Sequence, residues 1–172
     1  MVKPNQQSNP GGTKMPRLLI VYHSRTGNTE KMAGFIKEGI ESEGVEAVCK
    51  KASDTDAPEL LDYDGVIIGS PTYYGAMAWE VKKLLDDSVS FHGSLEGKTA
   101  GAFASSANLG GGNETTVLNI LQALLIHGMV AQGSSSGAHY GPVSVGEPDD
   151  RVKASCGNFG KRYAKLAKKL TA

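Results

Sequence analysis

Arg17-Leu18-Leu19-Ile20-Val21-Tyr22-His23-Ser24-Arg25-Thr26-Gly27-Asn28-Thr29 decides how this chain is read. Leu18 to Tyr22 is a continuous apolar run, the pattern of a strand buried on both faces. Ser24 to Thr29 is polar and carries one glycine. From Thr29 the period changes, and Met32, Phe35, Ile36 and Ile40 fall on one helical face before Gly44 closes the helix. A buried strand, a short polar turn and a helix follow one another within about thirty residues, as in a parallel α/β unit.

The same unit recurs downstream. Val66-Ile67-Ile68 leads into Gly69-Ser70-Pro71-Thr72-Tyr73-Tyr74-Gly75, then into an amphipathic helix marked by Trp79, Val81, Leu84 and Leu85 that ends before Ser88. Thr99 to Phe103 leads into Ser105-Ser106-Ala107-Asn108-Leu109-Gly110-Gly111-Gly112, then into an apolar helix from Glu114 to His127. Val45 to Cys49 reads as a shorter strand, Asp54 to Tyr63 as a helical turn and loop, and Met129 to Ala131 as the start of a fifth strand. Asp149 can cap a last helix, on which Val152, Cys156, Phe159, Tyr163, Leu166 and Leu170 form a buried stripe. Gly157 and Gly160 each weaken that helix by about 1 kcal/mol relative to Ala, which points to close packing there. In an open parallel sheet the three polar loops lie together at the carboxyl ends of the strands, where ligands bind.

The bulk numbers narrow the classes. A chain of 172 residues is read as one domain that can bury a core without disulfides or metal. Its 18 basic and 18 acidic residues leave no electrostatic footprint for nucleic acid. Cys49 and Cys156 lack a Cys-x-x-Cys spacing and read as buried thiols in a reducing compartment, hence a cytoplasmic location. No run is long enough to span a bilayer, and no secretory h-region is present. Residues 1–16, rich in Pro, Gly, Asn and Gln, read as a flexible tail ahead of a folded unit at 17–172. No cluster has metal-ligand spacing, and no Ser-His-Asp grouping stands out.

Each loop carries its own chemistry. Ser24, Thr26 and Thr29 offer hydroxyls, and Gly27 lets backbone N–H groups at a helix start approach a phosphate. The same residue types also suit an ordinary N-cap turn. Tyr73 and Tyr74 offer aromatic faces, but adjacent side chains in extended backbone point opposite ways, so at most one can stack on a ligand. Packing of both rings on the sheet rim is the alternative. Gly110, Gly111 and Gly112 exceed what a helix cap requires; at Gly111 both a close backbone approach and a positive φ are expected. A flexible hinge is the alternative there. Together the loops suit a phosphorylated planar cofactor.

Ser24-Arg25-Thr26-Gly27-Asn28-Thr29 resembles the phosphate loop of the flavodoxin-like family, Thr/Ser-x-Thr-Gly-Asn-Thr. Gly69-Ser70-Pro71-Thr72-Tyr73-Tyr74-Gly75-Ala76-Met77 and Gly110-Gly111-Gly112-Asn113-Glu114 resemble segments of the WrbA-like NAD(P)H:quinone oxidoreductases within it. The resemblance runs from about Arg17 to the C-terminus. It implies a doubly wound three-layer α/β sandwich with a five-stranded parallel sheet in the order 2-1-3-4-5, binding FMN without a covalent bond. The backbone from Arg25 to Thr29, with the Ser24, Thr26 and Thr29 side chains, would wrap the phosphate. Pro71 and the backbone from Thr72 to Gly75 would meet the flavin ring, with Tyr73 or Tyr74 near its face. Ser105 to Gly112 would bind the ring edge and ribityl chain. The implied activity is hydride transfer from NAD(P)H through FMN to a quinone, with no separate catalytic residue. The alternative is a flavodoxin-type carrier serving a redox protein. A homo-oligomer is compatible with either.

The chain also departs from the WrbA pattern. Ile126-His127-Gly128-Met129 stands where that group has His-His-Gly-Met, which makes His127 a helix-end residue where a positive charge is tolerated. Phe91 and His92 lie where an aromatic wall is expected, and 133–148 is shorter. His139 and Tyr140 sit in that region, in a loop expected to approach the carboxyl edge of the sheet or a neighbouring subunit.

Overall fold

The computed structural model describes residues 15–172; the expected tail falls outside them except for Met15 and Pro16. The long strands are β1 (Arg17–Tyr22), β2 (Glu46–Lys51), β3 (Gly65–Tyr73) and β5 (Thr99–Ser106). Shorter strands are β4 (Ala76–Met77), β6 (Val130–Ala131) and β7 (Val143–Val145). The helices are α1 (Asn28–Glu41), α2 (Trp79–Asp87), α3 (Asn113–Ile126) and α4 (Asp150–Leu170). The spatial order is β2-β1-β3-β5-β6, all parallel, with β4 folded antiparallel onto β3 and β7 parallel to β5. This is the doubly wound flavodoxin-like sheet, with the fifth position divided between β6 and β7.

Alternation along the central strands builds the three layers. Leu18 and Ile20 of β1 face one side, where they pack with Met32, Ile36 and Ile40 of α1 and Cys156, Phe159 and Tyr163 of α4. Leu19 and Val21 face the other side, with Val81 and Leu84 of α2 and Val117, Ile120 and Leu124 of α3. β1 and β5 are almost wholly buried, which is why their sequences are continuous rather than alternating.

Close packing of α4 rests on both of its glycines, by different routes. A Cβ on Gly160 would lie 2.3 Å from the Ile36 carbonyl oxygen of α1. Gly157 has open space where its own Cβ would be, but its carbonyl oxygen lies 2.3 Å from where a Cβ on Gly39 would stand.

The elements differ from the sequence reading in four places. The segment 52–62 forms two short 3₁₀ turns, Ala52–Asp54 and Ala57–Asp62, the second closed by a capping box between Asp56 and Glu59. β3 continues past Gly69 to Tyr73, so the second loop is the tip of a hairpin. The fifth strand is split: Val130–Ala131 pairs with Thr99–Ala100, and Val143–Val145 pairs with Ala104–Ser106. Trp79 begins α2 but is 69% exposed, and Leu125 and Ile126 end α3 in solvent.

Candidate functional site

Because the long strands are parallel, the segments after β1, β3 and β5 emerge at one end of the sheet. After β1 the His23 N–H donates to the Gly69 carbonyl at 3.1 Å, so the first loop starts tied to β3. Ser24 Oγ then accepts from the N–H groups of Gly27 (3.2 Å) and Glu30 (3.3 Å) and shapes the turn. Gly27 is the N-cap of α1 at φ 91°, in the left-handed region, and has no side chain to cap with. The N–H groups of Arg25, Thr26, Asn28 and Thr29 have no hydrogen-bond partner among the described residues. Arg25 and Thr26 are exposed, while Thr29 is buried. Of the loop's hydroxyls, those of Ser24 and Thr29 have hydrogen-bond partners, whereas that of the exposed Thr26 has none among the described residues.

The second segment is a hairpin. Thr72 pairs with Met77 and Tyr73 with Ala76, leaving Tyr74 and Gly75 as the two turn residues at φ 50° and 78°. Two successive positive φ values give the turn whose twist matches the strands. The tyrosines diverge as alternation requires: the Tyr73 ring meets His23 edge-on at 6.5 Å, and Tyr74 stands fully in solvent. Ser70 Oγ donates to the Pro71 carbonyl (2.7 Å) and accepts from the Ala78 N–H (2.8 Å), closing the base of the hairpin. Pro71 lies opposite Ser105 in the β3–β5 register.

The third segment is open. Ala107, Asn108, Leu109, Gly110 and Gly111 are exposed, whereas Ser105 and Ser106 are buried at the end of β5. Ser106 Oγ donates to the Asn108 carbonyl and accepts from Asn113 Nδ2, each at 3.0 Å. Gly110 and Gly112 have positive φ, but Gly111 does not. Gly111 is instead held to glycine by crowding, since a Cβ there would lie 2.7 Å from the Asn108 carbonyl oxygen. The expectation of positive φ at 111 is therefore corrected.

These segments form one cluster. Thr29 Oγ1 and Ser105 Oγ are 2.9 Å apart and buried, joining the first loop to the third. Thr116 Oγ1 donates to Thr72 Oγ1 (3.0 Å), and Thr115 Oγ1 donates to the Gly75 carbonyl (3.1 Å), pinning the hairpin to the start of α3. Gly75 and Gly112 touch: a Cβ on Gly112 would lie 3.0 Å from Gly75 Cα. Thr115 and Thr116 escaped the sequence reading, although two threonines in the first turn of a helix, three and four residues after the last glycine of a run, are a visible signal.

The surroundings are mixed in charge. His23 Nε2 lies 3.5 Å from Glu80 Oε1 on α2, and these two residues line a cavity of about 540 Å³ with Lys51, Asp56, Trp79 and Lys83. Tyr22 donates to Glu30 Oε1 at 2.7 Å; burial and that carboxylate push the phenol well above its ordinary value. His127 caps α3 but is buried, and its Nε2 pairs with Ser88 Oγ at 2.8 Å. Burial and nearby His92 lower its pKa, which disfavours the positive charge that this helix end would tolerate. His139 is exposed and bonded to the Ser134 carbonyl within its own loop. Burial raises the thiol of Cys49 to about 11 and that of Cys156 to about 12. Among the described residues no three His, Cys, Asp or Glu side chains gather as a metal site, and no helix is long and apolar enough to cross a membrane.

Comparison with known proteins places this geometry. The chain is 38% identical to a flavodoxin of Aquifex aeolicus, over 87% of its own length and 86% of the relative's. It is 32% identical to an NAD(P)H dehydrogenase (quinone) of Archaeoglobus fulgidus, over 91% of its length and all of the relative's. Its fold overlays a WrbA-like flavodoxin structure from Agrobacterium tumefaciens with a TM-score of 0.77 at 28% identity, covering 90% of this chain and 98% of that one. The flavodoxin family model matches residues 20–122, which span the first two segments, the third and the start of α3. With that match over more than half its length, the chain belongs to the flavodoxin family, a family of flavin-binding proteins.

Proposed function

We propose that the chain is an FMN-dependent NAD(P)H:quinone oxidoreductase. The residues present fit the cofactor. Among the described residues the N–H groups of Arg25, Thr26, Asn28 and Thr29 lack partners, and Thr26 adds an exposed hydroxyl. That set suits one terminal phosphate, because a helix start supplies both donors and a partial positive charge. Ser24 and Thr29 hold the cradle in shape through their internal bonds. The hairpin tip and the glycine run would flank the planar ring, with backbone groups of Thr72 to Gly75 and of Ser105 to Gly112 at its polar edge.

When bound, FMN supplies the redox chemistry, accepting a hydride equivalent and passing two electrons on. The protein's part is to orient donor and acceptor and to place N–H dipoles where negative charge develops. The hairpin's threonine bonds to α3 fix those dipoles in advance. A dissociable phenol, thiol or imidazole is not needed for that role, and raised pKa values keep Tyr22 and both thiols protonated at neutral pH. The reducing conditions of a cytoplasm suit such free thiols.

The observation that carries this reading is the open rim around the cluster. Tyr74, Ala107, Asn108 and Leu109 are exposed, so a small planar substrate can reach the site from solvent. The even balance of 18 basic and 18 acidic residues also gives the chain no net acidic charge to draw in a basic redox protein. The second reading, an electron carrier, is favoured by the relative called flavodoxin at 38% identity. Anaerobic stopped-flow mixing of the FMN-loaded protein with NADH and with NADPH separates the two. Rapid loss of the yellow absorbance with one nucleotide, and its return on adding benzoquinone, is expected. No change with either nucleotide would make the protein a carrier.

A further inference from the structure

α4 carries a row of cations away from the three loops. Lys161, Lys165 and Lys169 repeat every fourth residue, and Arg162 stands beside them. With Gln132, Asn158 and Leu166 they line a cavity of about 350 Å³ that contains no carboxylate. Lys165 reaches Glu43 at 3.4 Å. Lys161, Arg162 and Lys169 have no ion-pair partner among the described residues. Residues 1–14 hold no Asp or Glu, so they bring no countercharge either.

Helix electrostatics do not explain the row. Cations in the last turn offset the helix dipole, which covers Lys168 and Lys169. Lys161 and Arg162 lie two turns earlier, beyond the reach of that effect. Like charges four residues apart repel each other. The arrangement is therefore costly unless an anion joins it.

Arg162 is also set in place. Its guanidinium lies 5.3 Å from the Phe159 ring centre and 5.7 Å from that of Tyr163. Its Nε is sealed from solvent and has no hydrogen-bond partner among the described residues. The Tyr163 hydroxyl is in turn fixed, donating to the Gln132 carbonyl at 3.2 Å and facing the Gln132 N–H at 3.3 Å. A guanidinium held beside two rings offers its fork to phosphate oxygens, and lysines add point charges around it. Burial lowers the Arg162 pKa in the absence of an anion, consistent with a charge that lacks its partner.

We infer that this cavity binds a small organic molecule bearing a diphosphate, held by Arg162, Lys161, Lys165 and Lys169. Gln132 and Asn158 supply neutral donors and acceptors for the rest of the ligand, and Leu166 an apolar wall. The site is separate from the loop cluster. α4 starts near that cluster, where Glu147 pairs with Lys31, and Arg162 lies about 18 Å further along the axis at 1.5 Å per residue. The inference does not depend on which flavin reaction the loops serve.

Titrating the full chain, as purified and supplied with FMN, with inorganic pyrophosphate tests the site. The measurement is NMR chemical-shift mapping with calorimetry at 0.15 M NaCl. Shifts at Gln132, Asn158 and Arg162 are expected, with affinity on the order of tenfold weaker in Arg162→Gln and in Lys161→Glu. Lys161 is exposed, so its variant keeps the test decisive if Arg162→Gln does not fold. Shifts confined to Ser24–Thr29, unchanged affinity in Lys161→Glu, or no binding would overturn the proposal. So would a DNA oligonucleotide that binds the same residues more tightly as its length increases, which would make the row a nucleic-acid surface.

Discussion

Thr29 Oγ1 and Ser105 Oγ lie 2.9 Å apart, buried, although the residues are 76 positions apart in the chain. This one bond ties the loop after β1 to the end of β5. Replacing Thr29 with Val keeps the shape and strands the Ser105 hydroxyl. A loss of about 1–3 kcal/mol is expected from urea unfolding. Adding Ser105→Ala to that variant should recover part of the loss, since both ends would then be apolar; a loss that the second change leaves intact would point to packing instead.

The phosphate cradle can be tested on the cofactor itself. Thr26→Ala removes a hydroxyl bond to a charged group, about 1.5–3 kcal/mol, or roughly 10–150-fold in FMN affinity. Riboflavin, lacking the phosphate, should bind both proteins equally and weakly. Fluorescence quenching titrations measure this directly, and wild-type affinity for riboflavin equal to that for FMN would refute the cradle.

Gly112 faces two constraints at once, a φ of 90° and the Gly75 Cα 3.0 Å from where a Cβ would stand. Gly110 has positive φ but open space around it. Gly110→Ala should therefore cost about 1–2 kcal/mol of backbone strain with FMN binding nearly intact. Gly112→Ala should cost more and push the hairpin tip away, weakening FMN binding. Thermal melts and cofactor titrations of the pair give the comparison.

The two α4 glycines should respond in opposite directions. Gly157→Ala places a methyl in open space and gains helix propensity, about 1 kcal/mol. Gly160→Ala drives a methyl into the Ile36 carbonyl and should destabilise by several times that amount. Equal melting temperatures for the two variants would mean that α1 and α4 do not pack as described.

His127 makes stability fall on the acid side. Its folded pKa lies below the ordinary 6.5, so below that pH the unfolded chain binds the extra proton first. Stability from this group is complete above about pH 6.5 and is lost as the pH falls toward the lowered folded value. Replacing His127 with Gln should flatten the dependence of the urea midpoint on pH across that window. Titration of the His127 ring by NMR, with His92 followed beside it, checks the direction.

The alternation of strands and helices was legible because β1, β3 and β5 are buried on both faces and their apolar runs are unbroken. The hairpin was not, since Ser70, Pro71 and Thr72 read as a loop following the strand rather than as its continuation. Proline is unusual within a strand, yet β3 carries Pro71 at its carboxyl end, opposite Ser105. The divided fifth strand was hidden because Val130–Ala131 pairs over only two residues and a Gly/Ser-rich stretch follows. Trp79 marked the covered face of an amphipathic helix by its spacing yet is 69% exposed, because period alone does not say how wide the covered face is. The loop motifs identified the cluster correctly as neighbours. Their supporting bonds from Thr115, Thr116 and Ser70 depend on which side chains the fold brings opposite one another; the position of the threonine pair at a helix start is visible in the chain, but its partners are not.

The break between β6 and β7 leaves the chain room to be rewritten. Both pieces are anchored to β5, two residue pairs on one side and three on the other. The intervening loop closes on itself, with Ser134 N–H donating to the His139 carbonyl at 3.0 Å. Its length is thus uncoupled from the register of the sheet, and lengthening a loop already closed costs little entropy. New termini, a reporter peptide or a graft of foreign sequence at Ser135–Gly137 would leave both anchors in place and the loops after β1, β3 and β5 untouched.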